Sequence, residues 1–163
     1  MSVKASEFTA ALALAANGVS LVTTGGTHGT AGLTVSSMCS VCAEPALILA
    51  CVNAENEFCG IADANKHFAV NLLTTSHTTL SGVFAGLGNP AESDRFATGN
   101  WTTLETGSPI LMDALVSLDC ILVSAKTHGT HRIYIGEVVA LHSTDAAPLI
   151  YTNRGYANAE PIA

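Results

Sequence analysis

Three hydroxyls fall within four consecutive positions, Thr34, Ser36 and Ser37, inside the stretch Gly-Leu-Thr-Val-Ser-Ser-Met-Cys-Ser-Val of residues 32–41. Alternation and β-branching predict a strand there, with Leu33, Val35 and Ser37 on one face and Thr34, Ser36 and Met38 on the other. A buried hydroxyl without a partner costs about 1–3 kcal/mol, so something polar is expected against this strand. Hydroxyls and backbone N–H groups side by side on a rigid strand suit a flat heteroaromatic ring with carbonyl and imide edges, or a phosphate. A strand edging into a turn accounts for the same residues without a ligand, because Ser and Thr are common there.

Other polar groups sit at strand ends. Asn53-Ala-Glu-Asn56 follows the apolar run Ala46–Val52 and could meet a ligand edge or form a solvated turn. Lys126-Thr-His-Gly-Thr-His-Arg132 interrupts two strand patterns. Its two histidines, cation and glycine allow close approach to a charged ligand, and an incidental polar turn is the alternative. His28, in Gly25–Thr30, reads as an exposed loop residue, and Asn71 inside Phe-Ala-Val-Asn-Leu-Leu must be hydrogen-bonded if buried. Cys39-Ser-Val-Cys42 has the spacing of half a zinc site. Strand periodicity sends residues three apart to opposite faces and no second pair follows, so the thiols are read as small packing groups.

The elements that must position these groups belong to an apolar chain of 163 residues, 48% hydrophobic and only 12% charged, with mean hydropathy +0.40. That length predicts one domain. So little charge leaves apolar surface to be covered, for which a homo-oligomer interface is the simplest expectation. The net charge of −7, with Lys4, Lys66, Arg95, Lys126, Arg132 and Arg154 as the only cations, argues against nucleic acid. No apolar run reaches the roughly 18 residues of a membrane span. Five cysteines without a small-domain framework point to free thiols in a reducing, cytoplasmic compartment.

Ser6 as N-cap and Glu7 in the first turn predict an amphipathic helix carrying Phe8, Leu12 and Ala15 on one stripe and stopping at Asn17-Gly18. Residues 10–17 are read as part of that helix and not as the core of a signal peptide. The alternating Val19–Thr24 and the strand at 32–41 form a hairpin. Ala46–Val52 and His67–Leu73 read as buried strands, the first on both faces. Glu57–Asn65 and Thr75–Ala85 read as helices, and Gly86–Arg95 as a loop long enough to be a lid. Strands follow at Ala114–Val123, His131–Leu141 and Ala147–Tyr151, then a turn and a loose terminus from Ala157. About seven antiparallel strands with a few short helices predict a mainly β barrel or sandwich with a ligand at its rim.

The ordered set Gly-Val-Ser-Leu-Val-Thr-Thr at 18–24, the 32–41 stretch, Phe-Ala-Val-Asn-Leu-Leu at 68–73, Phe-Ala-Gly at 84–86, Arg-Phe at 95–96, Gly-Thr-His at 129–131 and Pro-Leu-Ile-Tyr at 148–151 resembles the flavin reductase family. The likeness covers nearly the whole chain. It is nearest in kind to the small reductase components of two-component aromatic monooxygenases, such as those serving 4-hydroxyphenylacetate and chlorophenol hydroxylases. The resemblance implies an FMN-binding split barrel with antiparallel Greek-key strands, a homodimer, and reduction of FMN or FAD by NADH, with NADPH as a substitute. The reduced flavin would then serve a separate monooxygenase acting on a phenolic substrate. It also implies that Thr34, Val35, Ser36, Ser37, Val52, Asn53, Asn56, Phe84, Arg95 and Arg154 hold the flavin and that His131 meets the nicotinamide. Neither a metal nor a catalytic side chain is implied, because hydride transfer needs only stacked rings. Two positions depart from the family pattern: Thr130 stands where many relatives have Asp, and Asn153-Arg154 where a basic pair is usual. The alternatives are a non-catalytic flavin-binding protein on the same fold and a thiol-based metal module.

Overall fold

Residues 2–160 and residue 162 are described by a computed structural model. Its strands are β1 (Asn17–Gly18), β2 (Ser20–Gly26), β3 (Gly29–Val35), β4 (Met38–Ala43), β5 (Ala46–Asn53), β6 (His67–Leu72), β7 (Trp101–Thr103), β8 (Pro109–Leu111), β9 (Val116–His128), β10 (His131–Ser143), β11 (Leu149–Thr152) and β12 (Gly155–Asn158). The helices are α1 (Ala5–Leu12), α2 (Phe58–Asn65), α3 (Thr78–Phe84) and α4 (Glu92–Arg95), with a short 3-10 turn over Thr75–His77 ahead of α3. The main sheet runs β3-β2-β6-β9-β10-β5-β4, antiparallel at every step. Its two edges, β3 and β4, are consecutive in the chain, which changes partner from β2 to β5 across Ser36 and Ser37. The sheet curls without a ladder to close it, which is the expected split barrel.

Two buried clusters line the two sides of this sheet. Inside the curl, Leu33 and Val35 of β3 meet Ala50 and Val52 of β5, Phe68 of β6 and Tyr134 of β10. On the other side of β2 and β6, Leu21 and Leu73 pack with Leu80 and Phe84 of α3 and with Leu111 of β8. This second layer reverses two expectations. The alternating strand β2 is buried on both faces, while β5 alternates, with Ile48, Ala50 and Val52 inside and Leu47, Leu49 and Cys51 half-covered because no helix lies over them.

Polar groups trapped between the layers are paired. The Thr23 hydroxyl donates to the Pro109 carbonyl at 2.6 Å. Asn71, at the centre, accepts the Leu111 N–H at 2.9 Å and the Ser117 hydroxyl at 2.8 Å through Oδ1, while its Nδ2 donates to Thr23 Oγ1 at 3.1 Å. One amide thus ties β2, β6, β8 and β9 together, locking them, and is hydrogen-bonded as its buried place requires. At Gly136 a Cβ would lie 2.7 Å from Phe68 Cζ, so glycine lets the bulged β10 press onto that ring.

Several elements differ from expectation. The strand over 32–41 is two strands, because the chain must change sheet edge at Ser36. Helix α1 ends at Leu12; Lys4 occupies the N-cap position, and its backbone N–H donates to Glu7 at 3.3 Å. Asn17 and Gly18 pair with Tyr151 and Ile150 instead of stopping the helix. A bulge in β4 before Cys42 puts Cys39 and Cys42 opposite Leu49 and Leu47, on one face and exposed, so they neither alternate nor pack. Among the described residues no three His, Cys, Asp or Glu gather to hold a metal. Strands β9 and β10 continue to His128 and His131, leaving only Gly129 and Thr130 as the turn. Within Gly86–Arg95 a short helix, α4, closes the loop. The terminus expected to be loose from Ala157 begins inside β12, where Ala157 and Asn158 pair with Ile150 and Leu149 of β11; Pro161 and Ala163 lie outside the described residues.

Asn71→Ala should destabilise the fold by about 3 kcal/mol, since it leaves the buried Leu111 N–H without its acceptor, takes one partner each from the Thr23 and Ser117 hydroxyls, and opens a cavity. Chemical denaturation measures this, and a loss below about 1 kcal/mol would contradict the locking role.

Candidate functional site

Along one face of β3, residues 32, 34 and 36 take successive positions. At Gly32 the face packs so tightly that a Cβ would lie 2.8 Å from Phe84. At Thr34 the hydroxyl donates to the Ser81 carbonyl of α3 at 2.7 Å. Ser36, one step further, is exposed and faces open space. It stands where two cavities adjoin.

One cavity, of about 290 Å³, is lined by Val19, Thr34, Val35, Ser36, Ser81, Ala85, Leu87, Tyr151 and Tyr156. The other, of about 380 Å³, is lined by Thr9, Leu12, Ala13, Ala15, Asn17, Ser36, Ser37 and Tyr151. Ser36 and Tyr151 belong to both. Tyr151 and Tyr156 stack edge to face across the β11–β12 hairpin with centroids 5.6 Å apart. The Tyr156 hydroxyl donates to Ser81 Oγ at 2.9 Å, tying that hairpin to α3. A corner of hydroxyls and peptide groups between tyrosine, valine and leucine side chains has the make-up of a pocket for a planar ring with polar edges.

The structure gathers some of the sequence-predicted residues here and separates others. Thr34, Val35, Ser36 and Ser37 form the corner, although the Val35 side chain points into the barrel core. Asn53 and His131 are register partners at the ends of β5 and β10, both exposed. The link from corner to pair runs through Cys51, two residues before Asn53, whose N–H donates to the Ser37 carbonyl at 3.0 Å. Val52 and Phe84 are core side chains, so Val52 offers a ligand only its peptide groups and Phe84 supports Gly32 from behind. Asn56 accepts the Phe58 N–H at 2.9 Å at the start of α2, and Asn53 accepts the Glu55 N–H at 3.0 Å. Arg95 donates to the Gly32 carbonyl of β3 at 3.3 Å and lines neither cavity. Arg154 is exposed at the β11–β12 turn and lines neither cavity.

Ser81, Leu87, Tyr151 and Tyr156 were not predicted as site residues. The two tyrosines flanking Asn153-Arg154-Gly155 were the available signal. A further cavity of about 490 Å³, lined in part by residues of β6, β9 and β10, holds His67, whose Nδ1 lies 2.8 Å from Ser108 Oγ. Burial, opposed by Asp119, holds that histidine below its ordinary pKa. This cavity contains none of the predicted site residues.

Residues 12–160 match the family described as flavin reductase like domain. The chain is 41% identical over 139 residues to the FMN reductase (NADH) RutF of Variovorax paradoxus, covering 85% of this chain and 76% of that protein. The NADH:FAD oxidoreductase SgcE6 of Streptomyces globisporus, solved in complex with NAD and FAD fragments, superposes with a TM-score of 0.87 at 26% identity, covering 97% of this chain and 94% of the other. BorF, the flavin reductase component of a bacterial two-component tryptophan halogenase, superposes with a TM-score of 0.86 at 25% identity, over 95% of this chain and 98% of the other.

The thiols around the site differ in availability. Burial, reinforced by Asp119, pushes Cys120 up to about 12. Burial and the neighbouring Cys39 also push Cys51 up. A colorimetric thiol reagent at pH 8 should therefore modify Cys39 and Cys42 quickly in the native protein, Cys51 more slowly, and Cys59 and Cys120 only after denaturation. Fast native labelling of Cys120, read by peptide mass, would contradict the burial that Phe68 and Gly136 impose there.

Proposed function

We propose that this chain, which belongs to the flavin reductase like domain family, oxidises NADH and delivers the hydride to FMN or FAD bound at the Ser36 corner. The observation that carries the reading is the corner itself. Exposed hydroxyls and unladdered peptide groups meet an apolar, tyrosine-lined groove, and this donor set fits a planar ring with carbonyl edges.

When bound, the flavin supplies a ring nitrogen able to accept a hydride from the nicotinamide C4. The chain binds and orients. Ser36 and Ser37 donate to the ring's polar edge through hydroxyl and backbone N–H groups, and Thr34, held by Ser81, fixes the strand that presents them. Val19, Leu87 and Tyr151 keep water from the apolar part of the groove. Asn53 meets the flavin from the end of β5, and His131, its register partner on β10, meets the nicotinamide. Arg95 and Arg154 supply positive charge toward phosphate, the first from beneath β3. NADPH can take the place of NADH in this reading; Arg132, next to His131, is already paired with Asp63 at 2.9 Å, while Lys126 lies one residue pair beyond Arg132 across the β9–β10 hairpin.

The reduced flavin leaves for a separate oxygenase, and we take an aromatic monooxygenase as the recipient on the sequence resemblance to reductases of phenolic hydroxylases. Two copies of the chain pair in this reading. Phe8 and Leu12 of α1, and Ile121, Val123 and Leu141 on the outer face of β9 and β10, are apolar and exposed, and a partner copy would cover them. The free cysteines fit a cytoplasmic location.

The purified protein should consume NADH, followed at 340 nm, only when FMN or FAD is added. Ser36→Ala and Ser37→Ala should each raise the flavin KM about fivefold, the effect of one lost hydrogen bond of about 1 kcal/mol, and leave the NADH KM unchanged. His131→Ala should do the reverse. Flavin binding without NADH oxidation would mean a carrier, and unchanged flavin KM in both serine variants would remove the corner as the flavin site.

A further inference from the structure

We infer that Thr130 is a positioning residue that sets how His131 meets the nicotinamide, an inference that rests on the reading of His131 as the nicotinamide contact. Strands β9 and β10 pair up to His128 and His131, which leaves Gly129 and Thr130 as a two-residue turn. Gly129 has φ 59°, the positive value such a turn takes at its first position. The backbone on both sides of His131 is anchored. Before it, the Thr130 carbonyl accepts the Ala54 N–H at 3.0 Å. After it, Arg132 points to the opposite face and pairs with Asp63 at 2.9 Å. What remains to be set is the ring itself.

Thr130 Oγ1 lies 3.0 Å from His131 Nδ1. A hydroxyl can donate to a bare Nδ1 or accept from a protonated one, so the contact holds for either form of the imidazole. It leaves Nε2 as the nitrogen turned toward a ligand. Threonine is β-branched and stiff about χ1, so its hydroxyl is held against the ring more firmly than that of serine.

Steady-state kinetics with NADH and FMN test this. Thr130→Val, which keeps the shape and removes the hydroxyl, should raise the NADH KM about fivefold, the effect of a hydrogen bond of about 1 kcal/mol. The kcat at saturating NADH and the FMN KM should stay at wild-type values. Thr130→Ser should restore most of the loss. In a His131→Ala background, Thr130→Val should add nothing, because the hydroxyl acts only through the ring. If His131→Ala raises the NADH KM and Thr130→Val does not, the positioning role is refuted while the nicotinamide reading stands. If Thr130→Val costs as much without His131 as with it, Thr130 acts on its own and the positioning role is again refuted. If neither variant changes the NADH KM, the nicotinamide reading falls and the inference falls with it.

Discussion

The edges of a β-sheet carry peptide groups that need partners, and in this chain one extended stretch serves both edges of the main sheet. Residues up to Val35 pair with β2, and residues from Met38 pair with β5. Ser36 and Ser37 lie between the two ladders. Their side chains and the Ser36 peptide face an opening and not a neighbouring strand, which gives the split barrel a polar corner at a fixed place. Serine suits that place because its hydroxyl adds a donor and an acceptor without the bulk that would fill the groove.

The corner stays open because the structure around it is held elsewhere. Asn71 and Thr23 join four strands beneath the helical layer, and Phe84, Phe96 and Trp101 interlock with centroids 5.1 to 5.6 Å apart. That layer reaches β3 at Gly32 and Thr34 and stops short of Ser36. On β9 and β10 the same packing leaves Ile121, Val123, Val139 and Leu141 exposed. Rigid support on one side and an open rim on the other are what a site for a planar, diffusing ligand needs.

Much of this was legible in the residues. The β2–β3 hairpin follows from local alternation and glycines, and the role of Asn71 follows from one amide in an apolar strand. The hydroxyls of the corner stood out because three in four positions are costly to bury. The interplay of layers was not legible. That β2 is covered twice and β5 once depends on where α3 and β8 dock, which no local pattern in either strand records. The common face of Cys39 and Cys42 depends on a bulge, and one added residue inverts a periodicity argument. Tyr151 and Tyr156 enter the site only because β11 pairs with β1 and Tyr156 reaches Ser81, a contact between residues 75 apart in the chain. That Arg154 sits at the β11–β12 hairpin tip and lines neither cavity follows from the pairing of β11 with β12, which its charge alone does not record.

The central claim is that the break between the two ladders is where the flavin binds. A crystal structure of the protein grown with FMN tests it most directly. The account predicts the three-ring system in the groove beside Tyr151, with its polar edge within hydrogen-bond distance of Ser36 and Ser37. A flavin ordered on another surface, with that groove filled by side chains of the protein, would contradict it.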